Sequence, residues 1–104
     1  MTNFVFAYRG GSGMASTPEA QEKVMAAWGA WFGTLGADLV EGGSPFGGSS
    51  TVHPDGSSTD GAAAGLTGYS VVSATDLAAA ATLAKGCPLL ADGGTVEVYE
   101  ALSM

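Results

Sequence analysis

A chain of 104 residues carries about one domain, which excludes a multidomain enzyme within it. Its apolar fraction of 46% includes 18 Ala and no Ile, leaving about thirty large apolar side chains, a thin core that a partner subunit would help to stabilise. Ten acidic residues against three basic ones give a formal charge of −7, and Arg9, Lys23 and Lys85 stand apart, so no nucleic acid and no membrane is expected as a partner.

Residues 3–9 alternate Phe4, Phe6 and Tyr8 with Val5 and Ala7, which predicts a strand apolar on both faces and therefore covered on both. Arg9-Gly10-Gly11-Ser12-Gly13 breaks it. Thr17-Pro18-Glu19 then supplies an N-cap, a first-turn proline and an early acid. In the helix that follows, Val24, Trp28, Trp31, Phe32 and Leu35 recur at the spacing of one buried stripe, and Gly36 ends it. Gly29 and Gly33 inside this helix each cost about 1 kcal/mol relative to Ala, which predicts close backbone packing there.

Residues 37–43 read as a second strand, with Leu39 and Glu41 on one face and Asp38 and Val40 on the other. The Gly-, Ser- and Thr-rich stretch 42–68 is too long for an ordinary connection, and its Pro54-Asp55-Gly56 turn signal makes it a hairpin arm. A β pattern resumes over 66–73 with Tyr69, Val71 and Val72. Ser73-Ala74-Thr75-Asp76 then resembles a capping box, opening a helix that presents Leu77, Ala80, Ala81 and Ala84 and stops at Gly86 and Pro88. A last strand, 95–102, alternates Val96 and Val98 with Glu97 and Tyr99. The order β-α-β-β-α-β predicts an α+β, ferredoxin-like antiparallel sheet with two helices on one face. A second copy of the sheet is expected over the other face, closing a homodimer as a dimeric α+β barrel. A wholly polar second face would contradict that expectation.

One His and one Cys make no zinc set, and neither metal nor cofactor is expected; acidic turn residues such as Asp55 and Asp60 ordinarily form Asx turns. The glycine-rich stretch after Arg9 sits where a phosphate loop would. It lacks the third glycine of the dinucleotide fingerprint and the Gly-Lys-Ser/Thr of a P-loop, leaving a flexible connection or weak anion binding beside Arg9. His53 with Asp55 two residues on is a candidate proton-transfer pair, set against a plainly solvated surface histidine. No Gly-x-Ser-x-Gly elbow occurs. Cys87 reads as a reactive thiol or a small space-filler. Tyr8, Trp28, Trp31, Phe32, Phe46 and Tyr69 could line a pocket between sheet and helix, but most of them are needed as core, so a ligand cavity would use its polar rims, Arg9, Glu41 and Tyr69, with Tyr8 beside them. The absence of a basic leader, of a long apolar run and of paired cysteines predicts a cytoplasmic protein.

Several ordered pieces carry a family resemblance: Tyr8-Arg9-Gly10-Gly11, Thr17-Pro18-Glu19, Trp28-Gly29-Ala30-Trp31, Gly42-Gly43-Ser44-Pro45, Thr59-Asp60-Gly61, Gly68-Tyr69, Asp76-Leu77, Lys85-Gly86-Cys87-Pro88 and Val96-Glu97-Val98. Together they span nearly the whole chain, which resembles the YCII-related proteins, in the branch named for an Asp-Gly-Pro-Phe (DGPF) motif. The resemblance implies a ferredoxin-like fold in a dimeric α+β barrel and a biochemical role that is mostly unassigned. The enzyme-like His-Asp pair of the YCII branch does not transfer, because residues 16–31 contain no His and Cys87 stands before Pro88. From the namesake motif only Asp60 and Gly61 carry over, since Ala62 and Ala63 follow them.

The reading that results is a small YCII-like dimer binding a small organic molecule between sheet and helices. As an enzyme it would be a lyase or isomerase moving one proton, with Asp60 or His53 as base and Arg9 steadying an anionic substrate. The rival is a non-catalytic accessory or regulatory module. An enclosed cleft with convergent polar side chains favours the first, and a filled interior with an exposed apolar patch favours the second.

Overall fold

A computed structural model describes residues 1–10, 17–62 and 65–102. In chain order the elements are β1 (Thr2–Arg9), α1 (Pro18–Leu35), a 3-10 turn (Gly36–Asp38), β2 (Leu39–Glu41), β3 (Ser50–Val52), β4 (Ser58–Asp60), β5 (Leu66–Ala74), α2 (Leu77–Ala84), α3 (Pro88–Ala91) and β6 (Thr95–Ala101). The chain is α+β, with a four-stranded antiparallel sheet in the order β2-β5-β1-β6 and a separate two-stranded sheet of β3 and β4.

Strand alternation sets the core. Register places Phe4 beside Val72, and Phe6 between Ser70 and Val98, so these residues face the helices together. Phe4 and Phe6 are fully buried, each side chain contributing about 1.5–3 kcal/mol of transfer free energy. From α1 come Trp31 and Leu35, with the Trp31 ring stacked on Phe6 at 6.0 Å and its Nε1 donating to the Leu83 carbonyl at 3.2 Å. That bond ties α1 to α2. From α2 only Ala80 and Ala84 are fully buried, and their small side chains let the helix lie close on β5 and β6.

The helix signals hold at α1: Thr17 Oγ1 accepts from Ala20 N at 3.1 Å, and Gly36 ends the helix with a positive φ of 54°. Close packing at Gly29 and Gly33 does not occur, because a Cβ at either position would meet nothing within 4 Å. Val24, at the end of the predicted stripe, is 49% exposed.

The second strand differs from its reading in two ways. A 3-10 turn consumes its first residues, and a bulge pairs Leu39 with Val72 but Glu41 with Val71, sending the two side chains to opposite faces. At α2 the cap is Asp76 rather than Ser73: its carboxylate accepts from Ala79 N at 2.8 Å, while β5 runs on to Ala74, paired with Thr2. The buried face is rotated accordingly, leaving Leu77 52% exposed and Ala81 exposed. The short α3, with Pro88 at its first position, was not foreseen. The hairpin arm forms as β3 and β4, closed by His53 N bonding Ser57 O at 2.8 Å and by Gly56 at a φ of 89°.

The sheet face away from the helices is mixed. Val5, Ala7 and Val71 make an apolar centre, bordered by Glu41 and Tyr69 on one side and by Arg9, Glu97 and Tyr99 on the other. No helix of the described residues is long and apolar enough to cross a membrane.

Candidate functional site

Two glycines bring the chain after β2 back across β5. At Gly43 the φ is 75° and any Cβ would overlap the Tyr69 carbonyl; at Gly68 a Cβ would lie 3.0 Å from the Ser44 carbonyl. Residues 44–46 therefore lie along β5, with Tyr69 N bonding Ser44 O at 3.2 Å and Phe46 N bonding Thr67 O at 2.8 Å. Phe46 then stacks on the Tyr69 ring at 5.8 Å.

Between this segment, β5 and α1 lies a cavity of about 600 Å³. Its helix wall is Met25, Trp28, Gly29 and Phe32, and its sheet wall includes Tyr8, Gly68 and Ser70. The wall aromatics are fixed against one another: Tyr8 meets Trp28 edge-on at 5.0 Å, and Trp28 meets Phe32 at 5.8 Å. Gly29 contributes by having no side chain, which keeps the helix wall open where the sequence suggested tight packing. A second, more open depression of about 850 Å³ runs along α1 against α3, between Lys23 and Asp92. Of the two, the smaller cavity has a buried polar pair among its described lining residues.

That pair is Tyr8 and Ser70. Tyr8 Oη donates to Ser70 Oγ at 2.7 Å, and Ser70 Oγ donates to the Gly42 carbonyl at 2.7 Å. Burial pushes the Tyr8 hydroxyl up from 10.0 to about 12, against the smaller opposing effect of its bond to Ser70. Among the described residues no buried side-chain nitrogen or oxygen lacks a partner.

The sequence-selected residues divide among four places. Tyr8 lines the cavity with its side chain, whereas Tyr69 borders it through its place in β5 while its ring lies on the opposite sheet face. Arg9, the next residue of β1, points to the opposite sheet face and pairs with Glu97 at 2.9 Å, where the Tyr99 hydroxyl also donates to Glu97 at 2.6 Å. Glu41 is on that face too, accepting from the Tyr69 hydroxyl at 2.6 Å, a bond that pushes the Tyr69 pKa up. His53 and Asp60 stand exposed on the arm. His53 Nε2 contacts Thr59 Oγ1 at 3.1 Å, while Asp55 accepts from Ser57 N and Ser57 Oγ at 2.9 and 2.6 Å. The imidazole–carboxylate pair is thus not made, and Ser57 holds the Asp55 carboxyl below its ordinary value. Cys87 is buried, and desolvation pushes its thiol up, as befits a space-filler. Residues 11–16, which contain most of the glycine-rich stretch, lie outside the described residues.

Sequence reasoning missed Ser70, Met25 and the role of Gly29. The signal for Ser70 was its parity: a hydroxyl at the inward position between Gly68 and Val72 needs buried partners. No described group of three or more His, Cys, Asp or Glu side chains is placed to hold a metal ion. Compared with protein-family models, curated proteins and solved structures, the chain matches none.

Proposed function

We propose that this chain binds a small organic molecule in the cavity between α1 and β5, as a ferredoxin-like domain of the YCII type that pairs with a second copy of itself. The observation that carries the reading is the cavity: about 600 Å³, walled by Trp28, Phe32 and Met25 and floored by the Tyr8–Ser70 pair. That is the size and chemistry of ordinary ligand sites, apolar walls with a few fixed polar groups.

The strand order β2-β5-β1-β6, with α1 and α2 packed on the Phe4–Phe6 face, supports the ferredoxin-like arrangement. The slab is 19 Å in its shortest dimension, close to one sheet plus one helix layer, which leaves the half-buried Val5 and Val71, beside the already buried Ala7, to be covered by a partner sheet.

Binding without proton transfer is the form of the proposal that the cavity favours. Tyr8 is the titratable side chain that faces the cavity from its described lining, and burial shifts it upward, away from service as a base at neutral pH. The catalytic roles proposed for His53 and Asp60 would require the arm of another copy to reach the cavity. A carrier, sensor or accessory subunit fits better than a lyase.

Native mass spectrometry of gently purified protein tests the proposal. A dimer retaining a small extra mass, absent from a Gly29→Leu dimer whose cavity is filled, is the expected result. A monomer would remove the paired-sheet part, and the same retained mass in Gly29→Leu would remove the cavity part.

A further inference from the structure

The directions of the hydrogen bonds at the cavity floor are forced. The Gly42 carbonyl can only accept, so the single Ser70 hydroxyl proton goes to it. Ser70 then has none left for Tyr8, so Tyr8 gives its own proton to Ser70. Both protons are committed within the protein, and with Ser70 fully buried the capacity left at the floor is the lone pair of Tyr8 Oη. Thr67, also in the lining, donates its hydroxyl to the Tyr8 carbonyl at 3.2 Å. No lysine or arginine is among the described lining residues, and the chain carries a net charge of −7.

We infer that this cavity selects ligands bringing a hydrogen-bond donor to its floor: flat, neutral or cationic aromatic molecules bearing an N–H or O–H, in preference to shape-matched acceptors and to anions. The inference rests on the ligand-binding reading above and specifies its ligand. An acceptor lowered onto Tyr8 would set lone pair against lone pair and strip water from both, whereas an N–H would fill the open capacity. The Trp28 and Phe32 rings supply flat apolar contact for the rest of the molecule. The upward shift of the Tyr8 hydroxyl keeps its proton in place throughout the neutral range.

Indole and benzofuran test this, since they share a shape and differ by an N–H against an ether oxygen. Titrations followed by calorimetry or by NMR give the indole-to-benzofuran affinity ratio in the native protein, in Tyr8→Phe and in Ser70→Ala. The expected ratio is about tenfold higher in the native protein than in Tyr8→Phe, the size of one neutral hydrogen bond. Ser70→Ala releases the Tyr8 proton and moves the ratio toward benzofuran, which keeps the test available if Tyr8→Phe fails to fold. Binding with an unchanged ratio in the variants overturns the donor preference and leaves the ligand-binding reading standing. Failure of folded native protein to bind either probe removes that reading and this inference with it.

Discussion

Tyr8 and Ser70 stand on adjacent strands, both facing the helices, and their hydroxyl oxygens lie 2.7 Å apart with the proton on the tyrosine side. Ser70 is fully buried and passes its own proton to the Gly42 carbonyl, so one serine joins β1, β5 and the segment after β2. The bond fixes the cavity floor, and burial keeps Tyr8 neutral against the smaller opposing effect of that bond.

A pH dependence follows from that charge state. Because the fold raises the Tyr8 pKa from 10.0 to about 12, its contribution to stability is complete below 10.0 and is lost as pH rises toward about 12. Tyr8→Phe flattens the decline of the denaturation midpoint across that window. Tyr69 and Tyr99, raised by their bonds to Glu41 and Glu97, keep part of the decline in the variant.

The acid side has the opposite sign. The Tyr99 hydroxyl, and after it Arg9, hold the Glu97 carboxyl below its ordinary 4.5, so that contribution is whole above 4.5 and disappears as pH falls through the lowered value. Urea titrations over this range are expected to show less acid sensitivity in Glu97→Gln than in the native chain. The groups are exposed, so the difference shrinks in high salt.

Glycines of one sequence type should respond in opposite directions. Gly33→Ala adds a methyl that meets nothing within 4 Å and raises stability by about 1 kcal/mol through helix propensity alone. Gly43→Ala combines a φ of 75° with overlap on the Tyr69 carbonyl and lowers stability by about 2 kcal/mol or more. Thermal melts of the two variants read both signs directly.

The arm residues stand apart from the cavity lining, so His53→Ala and Asp60→Ala are expected to leave indole affinity and melting temperature unchanged within error. A loss of affinity in either would show that an arm, in place or from another copy, reaches the ligand.

Legibility differed by element for physical reasons. Alternation in β1, the cap at Thr17 and the stop at Gly36 act within a few residues, so local sequence carried them. The turn of the arm was equally local, since Asp55 and Gly56 make it among themselves and their neighbours. The Leu39–Glu41 bulge was not legible, because it is settled by pairing with Val71 and Val72, some thirty residues away. The same holds for the site. Tyr8 and Tyr69 stand out in the sequence as aromatics on strands, but which sheet face each takes, and hence the exclusion of Arg9, Glu41 and the Tyr69 ring from the cavity, depends on tertiary register. Gly29 was misread because an empty position in a helix looks the same in sequence whether a backbone or a cavity lies beside it.

The most direct test of the central claim is an NMR titration with indole that follows the Met25 methyl and the Trp28 ring N–H. Both resonances are expected to move in the native protein and to stay still in Gly29→Leu. Shifts confined to Pro88 and Asp92 beside α3, or to the arm, would contradict binding in the cavity between α1 and β5.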